Sequence, residues 1–424
     1  MTMKTNVMKN LPSMLLIAFI FTLSTAVSLV LGIPVKNIMT GFNYSVIIIL
    51  IVMELFTNVV VETGIMQYLA TRLAVVSKGD KRLCMFLFGI LMFFISAFLN
   101  NITAVLMILP VIFVLLKALE ADKKYITVFF AVILALSNTG GASSPIGDFP
   151  AIVIMTSGIT TFTGYLFKAF PLFLVTSVIL MALWSVFIRD KNSCKATKQL
   201  AVDLLHSRYR NIRVRFDLLV PLCVIMAGMF IAWSVVPQNL VPPEVIAVLG
   251  YGAAIVTASL RGVDIKQSMD MKSVLTIAAF LFLATVVSAS GVLTILAQYL
   301  QANIAQPKLL LLVIMLITSI VSGIFSAGPA AAAMMPVIVN LCSTTLAAQS
   351  QWVAIAYAAS ICAGSSLFMW SATAGFILSG KVNDADFEDN GTKISWGIGE
   401  YLGYGIVNYA VQMTVAVLWI LLVI

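Results

Sequence analysis

Asn100-Asn101-Ile102-Thr103 interrupts one long apolar run, and Ser326-Ala327-Gly328-Pro329 interrupts another. Both runs then reach a proline, Pro110 and Pro336, 226 positions apart (336 − 110). A second pair of breaks keeps step, because Asn138 lies 28 residues after Pro110 and Gly364 lies 28 after Pro336. A membrane fold copied twice, with polar breaks at matched depths, is how many secondary transporters build a substrate site.

Composition fixes the setting. The 424 residues are 61% hydrophobic and 10% charged, with a mean hydropathy of +1.07, well above the roughly 45 to 50% apolar content of soluble domains. The chain reads as an all-α polytopic membrane protein. Its first apolar run, 11–31, has no small-residue cleavage site leading into a soluble domain and reads as the first span. The five cysteines show no metal-ligand spacing.

A net charge of +8 would suit a nucleic-acid partner, so the placement of the 25 Lys and Arg decides the matter. With the N-terminus cytoplasmic, all but Lys36, Lys168 and Lys308 fall in inner segments. The positive-inside rule accounts for that excess, and no nucleic-acid partner is implied.

Apolar runs of roughly 17 to 25 residues read as spans, placed near 11–31, 42–62, 125–158, 164–188, 218–236, 243–260, 273–290, 352–380 and 397–422. Nine crossings put the C-terminus outside. Two of them, 125–158 and 352–380, are too long and too rich in Gly, Ser and Pro for plain helices, and read as broken spans. The stretches 83–117 and 308–342 each split at a polar tip into two arms. Charges flank the first stretch on the inner side at both ends, so each reads as a re-entrant hairpin with its tip in the membrane, where irregular backbone is tolerated if it lines a cavity.

The organisation that follows is a first repeat over 1–188, a basic cytoplasmic linker over 189–217 with the only histidine, His206, a linking span over 218–242, and a second repeat over 243–424. Five crossings separate equivalent points, so the second copy is inverted. Smaller echoes agree: Thr63-Gly64 matches Ser290-Gly291, and Leu183-Trp184 matches Leu418-Trp419.

Helix ends inside the membrane expose unpaired carbonyls and N–H groups with opposite partial charges. At the first tip, Asn100, Asn101 and Thr103 add hard oxygen ligands suited to a small cation. They also suit the simpler task of capping a kink. At the second tip, Pro329 fits the first turn of a new helix, leaving Ser326 and Gly328 with free backbone. The first broken span runs Ser137-Asn138-Thr139-Gly140-Gly141-Ala142-Ser143-Ser144-Pro145-Ile146-Gly147-Asp148-Phe149-Pro150. Two readings stand for Asp148, a coupling-ion or proton site or a structural cap; an acid at membrane depth favours function. The second break, with Gly364, Ser365, Ser366 and Thr373, carries no charge, so a cation there would rely on neutral oxygens. Glu54, mid-span, reads equally as a relay or as a packed acid, and Glu62, near the inner end of the same span, reads rather as a packed acid. Lys168 reads as snorkelling to the interface.

These segments resemble the ion transporter superfamily, in particular the branch holding arsenite permeases, sodium/proton antiporters and citrate-transporter-like permeases. The resemblance rests on Asn138-Thr139-Gly140-Gly141 running into Pro145-Ile146-Gly147-Asp148, and on the tip Ser96-Ala97-Phe98-Leu99-Asn100-Asn101-Ile102-Thr103. It implies two hairpins and two broken helices enclosing substrate and coupling ions, often in homodimers, with a transport domain sliding against a scaffold. The chain departs from that branch's antiporters, which carry Asp-Asn at the tips, and from its dicarboxylate carriers, which carry Ser-Asn-Thr.

The expectation is a secondary active transporter in the plasma (inner) membrane, moving a small anion or oxyanion with sodium or protons as coupling ion and no other cofactor. Asn100, Asn101, Asn138 and Gly140 would hold the sodium, and Ser326, Gly364, Ser365 and Ser366 would be the neutral counterpart. The rival is sodium/proton antiport through Asp148. An enzyme is not expected, since no His cluster, Cys/His pair or Ser/Lys dyad occurs in the membrane segments. A channel is disfavoured by the paired inverted hairpins.

Overall fold

The computed structural model describes residues 2–188, 213–263, 271–304, 306–389 and 392–424. The predicted basic linker and His206 lie outside them, apart from 213–217. Among the described residues nine helices are long and apolar enough to cross a membrane, and the chain is an integral membrane protein built almost wholly of α-helix. These nine are not the nine crossings expected from sequence. They include α5 (Lys81–Phe98), α6 (Asn101–Ala118) and α14 (Pro307–Phe325), which lie in the stretches expected to be hairpins, while α1 (Thr2–Val30) and α12 (Met271–Ala289) contribute, among the described residues, the shorter apolar helices Ile17–Val30 and Val274–Ala289.

Helix starts recur at the spacing seen in the sequence. α5 begins at Lys81 and α14 at Pro307; α6 begins at Asn101 and α15 (Ala327–Ser343) at Ala327; α8 (Phe149–Thr156) begins at Phe149 and α17 (Gly375–Asp384) at Gly375. Each of these pairs is 226 positions apart. Between them come the first halves of the two broken spans, α7 (Lys123–Ser143) and α16 (Ser350–Ser365), and after them the long helices α9 (Phe162–Phe187) and α18 (Ile398–Val423). The short strands β1 (Glu388–Asp389) and β2 (Thr392–Lys393) pair antiparallel in the connection to α18.

Local chemistry explains the recurrence. α4 (Ile65–Val76) and α13 (Val292–Asn303) both start from a glycine in left-handed backbone, Gly64 at φ 70° and Gly291 at φ 78°, which a side chain would penalise. The hydroxyl before each glycine works twice. Thr63 Oγ1 donates to Val60 O at 2.6 Å and accepts from Ile65 N at 3.3 Å; Ser290 Oγ donates to Val287 O at 2.6 Å and accepts from Val292 N at 3.4 Å. The faint Thr63-Gly64 and Ser290-Gly291 echo is therefore one turn built twice.

The core sits around the two broken helices. Every residue of α7 from Tyr125 to Ser143 is buried, as is every residue of α16 from Val353 to Ser365. α5 packs on α7 and α14 on α16, while α9 and α18 close the other side. Glycines set the distance, as small residues do between helices in lipid. Gly140 lies against the carbonyl of Phe93, and Gly364 against the carbonyl of Ser319. In a second group, α3 (Tyr44–Val61) and α10 (Phe216–Val235) each pack on α11 (Pro243–Leu260), and α3 also meets α8 and α12. Lys168, expected to snorkel, has specific partners. It donates to Gln351 Oε1 and lies over the Trp352 ring, 5.4 Å from its centroid.

Candidate functional site

The first tip turns through only Leu99 and Asn100. Asn100 sits in extended backbone, and its Oδ1 accepts from Ile102 N at 2.9 Å and Thr103 N at 3.4 Å, so the amide caps α6. Thr103 takes part through that backbone N–H. Asn101 is 1% exposed; its Oδ1 accepts from the Ser96 hydroxyl, which also donates to Ser137 O at 2.9 Å on the neighbouring broken helix. Asn101 Nδ2 is buried without a partner.

The second tip is tighter still, a single residue. Ser326 holds φ 87° and ψ 157°, and its side chain caps nothing. Gly328, two residues on, faces the ring of Phe149 at the start of α8; a methyl on it would stand 3.2 Å from that ring. The second tip thus reaches the first break.

In the first break α7 stops at Ser143 and α8 restarts at Phe149. Asp148 is the N-cap, accepting from Phe149 N at 2.8 Å, with Pro150 in the first turn. The bend closes tightly on the first tip. A methyl on Gly141 would stand 2.7 Å from Asn101 Oδ1, 2.8 Å from Asn101 Nδ2 and 2.9 Å from Asp148 Cβ. A methyl on Gly147 would meet the carbonyl oxygens of Gly141, Ser96 and Ala97 within 2.9 Å. Three backbone carbonyls, an amide and a carboxylate therefore converge on one break. Hard oxygens in that arrangement suit a small cation. Among the described residues no group of three or more His, Cys, Asp or Glu could hold a metal ion, so a cation here would rely largely on neutral oxygens.

The two breaks touch. Asn138 Nδ2 donates to Ser365 O at 3.4 Å and to Ser366 Oγ at 3.2 Å, across the two halves of the chain. Of the other expected residues, Thr139 bonds the Ser177 hydroxyl on α9 at 2.7 Å. Gly140 and Gly364 pack under the arm helices, as described. Where the first copy has Asp148 at the start of its second half-helix, the second has Ala374, which caps nothing.

Several contributors escaped the sequence reading. Ser96 on α5 donates to Ser137 O and Ser322 on α14 to Ile361 O at 2.8 Å, each bonding its helix to the neighbouring broken helix. Tyr165 and Tyr401 each donate to a carbonyl at the end of a first half-helix. The 226-residue spacing applied to serines would have paired Ser96 with Ser322. The tyrosines were hidden because the β1–β2 connection lengthens the second copy before α18.

Two cavities flank the break. One, of about 60 Å³, is lined by Asn100, Asp148, Glu54, Thr57 and Thr373 among apolar neighbours. The other, of about 570 Å³, lies between α12 and α15 and is lined by neutral groups including Asn37, Asn43, Thr285, Ser288 and Asn340.

Comparison with known proteins places this geometry in context. A family model described as "Citrate transporter" matches residues 4–423. An uncharacterised transporter of Mycobacterium bovis is 27% identical over 90% of this chain and 86% of its own length. A 46 kDa membrane protein of Mycobacterium leprae is 27% identical over 71% of this chain and 70% of its own. A Na(+)/H(+) antiporter of Alkalimonas amylolytica is 33% identical over 24% of this chain and 20% of its own.

Proposed function

The chain belongs to the citrate transporter family, which makes it a membrane transporter and not an enzyme, and from that membership we propose that it moves a small carboxylate-like or arsenite-like anion coupled to sodium or protons by alternating access. The observation that carries this reading is the meeting of both helix breaks and both tips around Asp148 and Asn138. Half-helix ends supply carbonyls for a cation and N–H groups for an anion at one place, as in transporters with discontinuous helices.

The two cavities divide the labour by size. About 60 Å³ holds one or two waters, or a small cation, but no tricarboxylate. About 570 Å³ falls in the range of small-molecule sites, roughly 300 to 1,000 Å³, and its amides and hydroxyls can donate to an anion. In this reading α5–α6 and α14–α15 are re-entrant hairpins of two inverted repeats. The N-terminus is cytoplasmic and the C-terminus outside in the plasma membrane, and the unit works alone or as a homodimer. Asn100 and Asp148, which line the smaller cavity, hold the cation, with Asn101 beside Asp148 across Gly141. Ser326, Gly328, Ser365, Ser366 and Thr373 face it from the second copy.

The test is uptake of labelled citrate, succinate and arsenite into proteoliposomes under imposed sodium or proton gradients. Accumulation above the equilibrium level with one gradient is the expected result; indifference to both gradients would sink the coupling. A second reading, sodium/proton antiport through Asp148, is supported by the carboxylate lining the smaller cavity. It requires sodium-driven proton flux in the absence of any organic anion.

A further inference from the structure

We propose that the starts of α5 and α7 and the end of α9 together form a binding site for an anionic phospholipid. Its phosphate is held by Lys81 and Lys124, and an acyl chain lies along the last turn of α9.

A cavity of about 600 Å³ opens where these three helices meet, and its lining includes no residue of either helix break. All three helices are long and apolar enough to cross a membrane, so their shared end lies where headgroups meet hydrocarbon. The cavity has two kinds of wall. One is charged, with Lys81, Lys124 and Asp122; the other is apolar, with Val186 and Phe187, 70% and 52% exposed, leading to Ile188. A free inorganic anion makes no use of the second wall, and a hydrocarbon makes none of the first. A molecule with a charged head and an apolar tail matches both, and basic pockets between membrane helices are suited to acidic headgroups.

The charged wall is assembled by contacts within the protein. Lys81 Nζ lies 3.4 Å from Asp122 Oδ1 and 5.4 Å from the centre of the Tyr125 ring, with its side chain 13% exposed. The Tyr125 hydroxyl donates to Lys81 O at 2.8 Å, which ties α7 to α5. Arg82 Nε donates to Ile188 O at 2.7 Å, which ties the end of α9 to α5. An ammonium group carries three donors, and Asp122 engages one of them. Lys124 is exposed and has no acidic partner among the described residues. The start of α7 adds positive partial charge, because Asp122 turns its carboxylate to Lys81 and leaves the N–H groups of the helix uncapped by its side chain.

Two ammonium groups against one carboxylate leave a surplus of one positive charge. A phosphodiester carries one negative charge and neutralises it. A zwitterionic headgroup brings its own cation to the same wall and gains less.

The experiment uses the purified full-length protein, stripped of lipid in detergent and melted with rising concentrations of dioctanoyl phosphatidylglycerol. Dioctanoyl phosphatidylcholine and inorganic phosphate are run in parallel. A ligand that binds only the folded state raises the melting temperature, and the wild type should respond to phosphatidylglycerol alone. Lys81→Gln and Lys124→Gln should each raise the half-effective lipid concentration about five-fold, the change equal to about 1 kcal/mol per basic residue at an anionic membrane surface. Asp122→Asn should lower that concentration, a gain that misfolding cannot mimic. Lys393→Gln, which removes the same charge from the exposed β1–β2 connection, should leave it unchanged. An equal response to phosphatidylcholine, or a phosphatidylglycerol response that survives the double variant K81Q/K124Q, would overturn the charged site. A matching response to inorganic phosphate would assign the cavity to a free anion and overturn the lipid. No response in the wild type would overturn the proposal outright.

Discussion

The hydroxyl of Tyr165 donates to the carbonyl of Ala142 at 2.8 Å, at the end of the first half of the first broken span. In the second copy Tyr401 donates to Ser366 O at 2.7 Å. Each tyrosine rises from the long helix that closes its copy, and each quenches a carbonyl that the helix end would leave unpaired. The last helix of each copy is thereby tied to the break it follows.

Tyr165→Phe and Tyr401→Phe each strand a buried carbonyl. Each should lower stability by about 1 to 3 kcal/mol. The two effects should be nearly additive, since distant sites couple weakly. Melting temperatures of the single and double variants in detergent check both points; a neutral result for either would show that water replaces the hydroxyl.

Asp148→Asn separates the two roles of that residue. Asparagine caps a helix about as well as aspartate, so the Phe149 N–H stays satisfied and the melting temperature should hold. Sodium- or proton-dependent flux should fall to background. Asp148→Ala should lose both, with about 0.5 to 2 kcal/mol of stability lost with the cap.

Gly140→Ala and Gly364→Ala press a methyl group into the carbonyls of Phe93 and Ser319 respectively. Backbone cannot step aside as a flexible side chain can, so each should destabilise by about 1 to 3 kcal/mol, the usual effect of overpacking. Similar losses in the two copies would mark the two approaches as equivalent; a loss in one copy alone would contradict that.

Ser326 holds a backbone conformation, φ 87° and ψ 157°, that side chains disfavour. Ser326→Gly should therefore be tolerated, with stability unchanged or raised. Ser326→Val should lower it by about 1 to 3 kcal/mol, the range for strained backbone sites. A melt in which valine is as stable as glycine would refute the strained tip.

The β1–β2 connection offers a contrast. Lys393 pairs with Asp386 and holds its carboxyl below the usual carboxylate range, but both groups are exposed. Such pairs contribute little, so Asp386→Asn should leave melting and flux as they are at neutral pH.

Much of this was legible because backbone breaks leave loud marks in an apolar chain. Pro145, Pro150 and the Gly140-Gly141 pair can hardly lie in one straight helix, and the helix indeed stops at Ser143 and restarts at Phe149. The tips announced themselves through Asn100 and Pro329. What stayed hidden was partnership across the sequence. Nothing local to Asn138 says that its amide will find Ser365 and Ser366, and nothing local to Glu54 says that it will line a cavity with Asp148. Nothing local to Lys168 says that Gln351 and Trp352 will receive it.

One link between the two halves of the chain is the Asn138 amide, bonded at 3.4 and 3.2 Å to Ser365 and Ser366. Neutral hydrogen bonds of this kind contribute only about 0.5 to 1.5 kcal/mol each, one to three times the thermal energy. This contact between the two breaks is therefore a spring catch and not a bolt: firm enough to set a resting position, weak enough that ordinary agitation can release it.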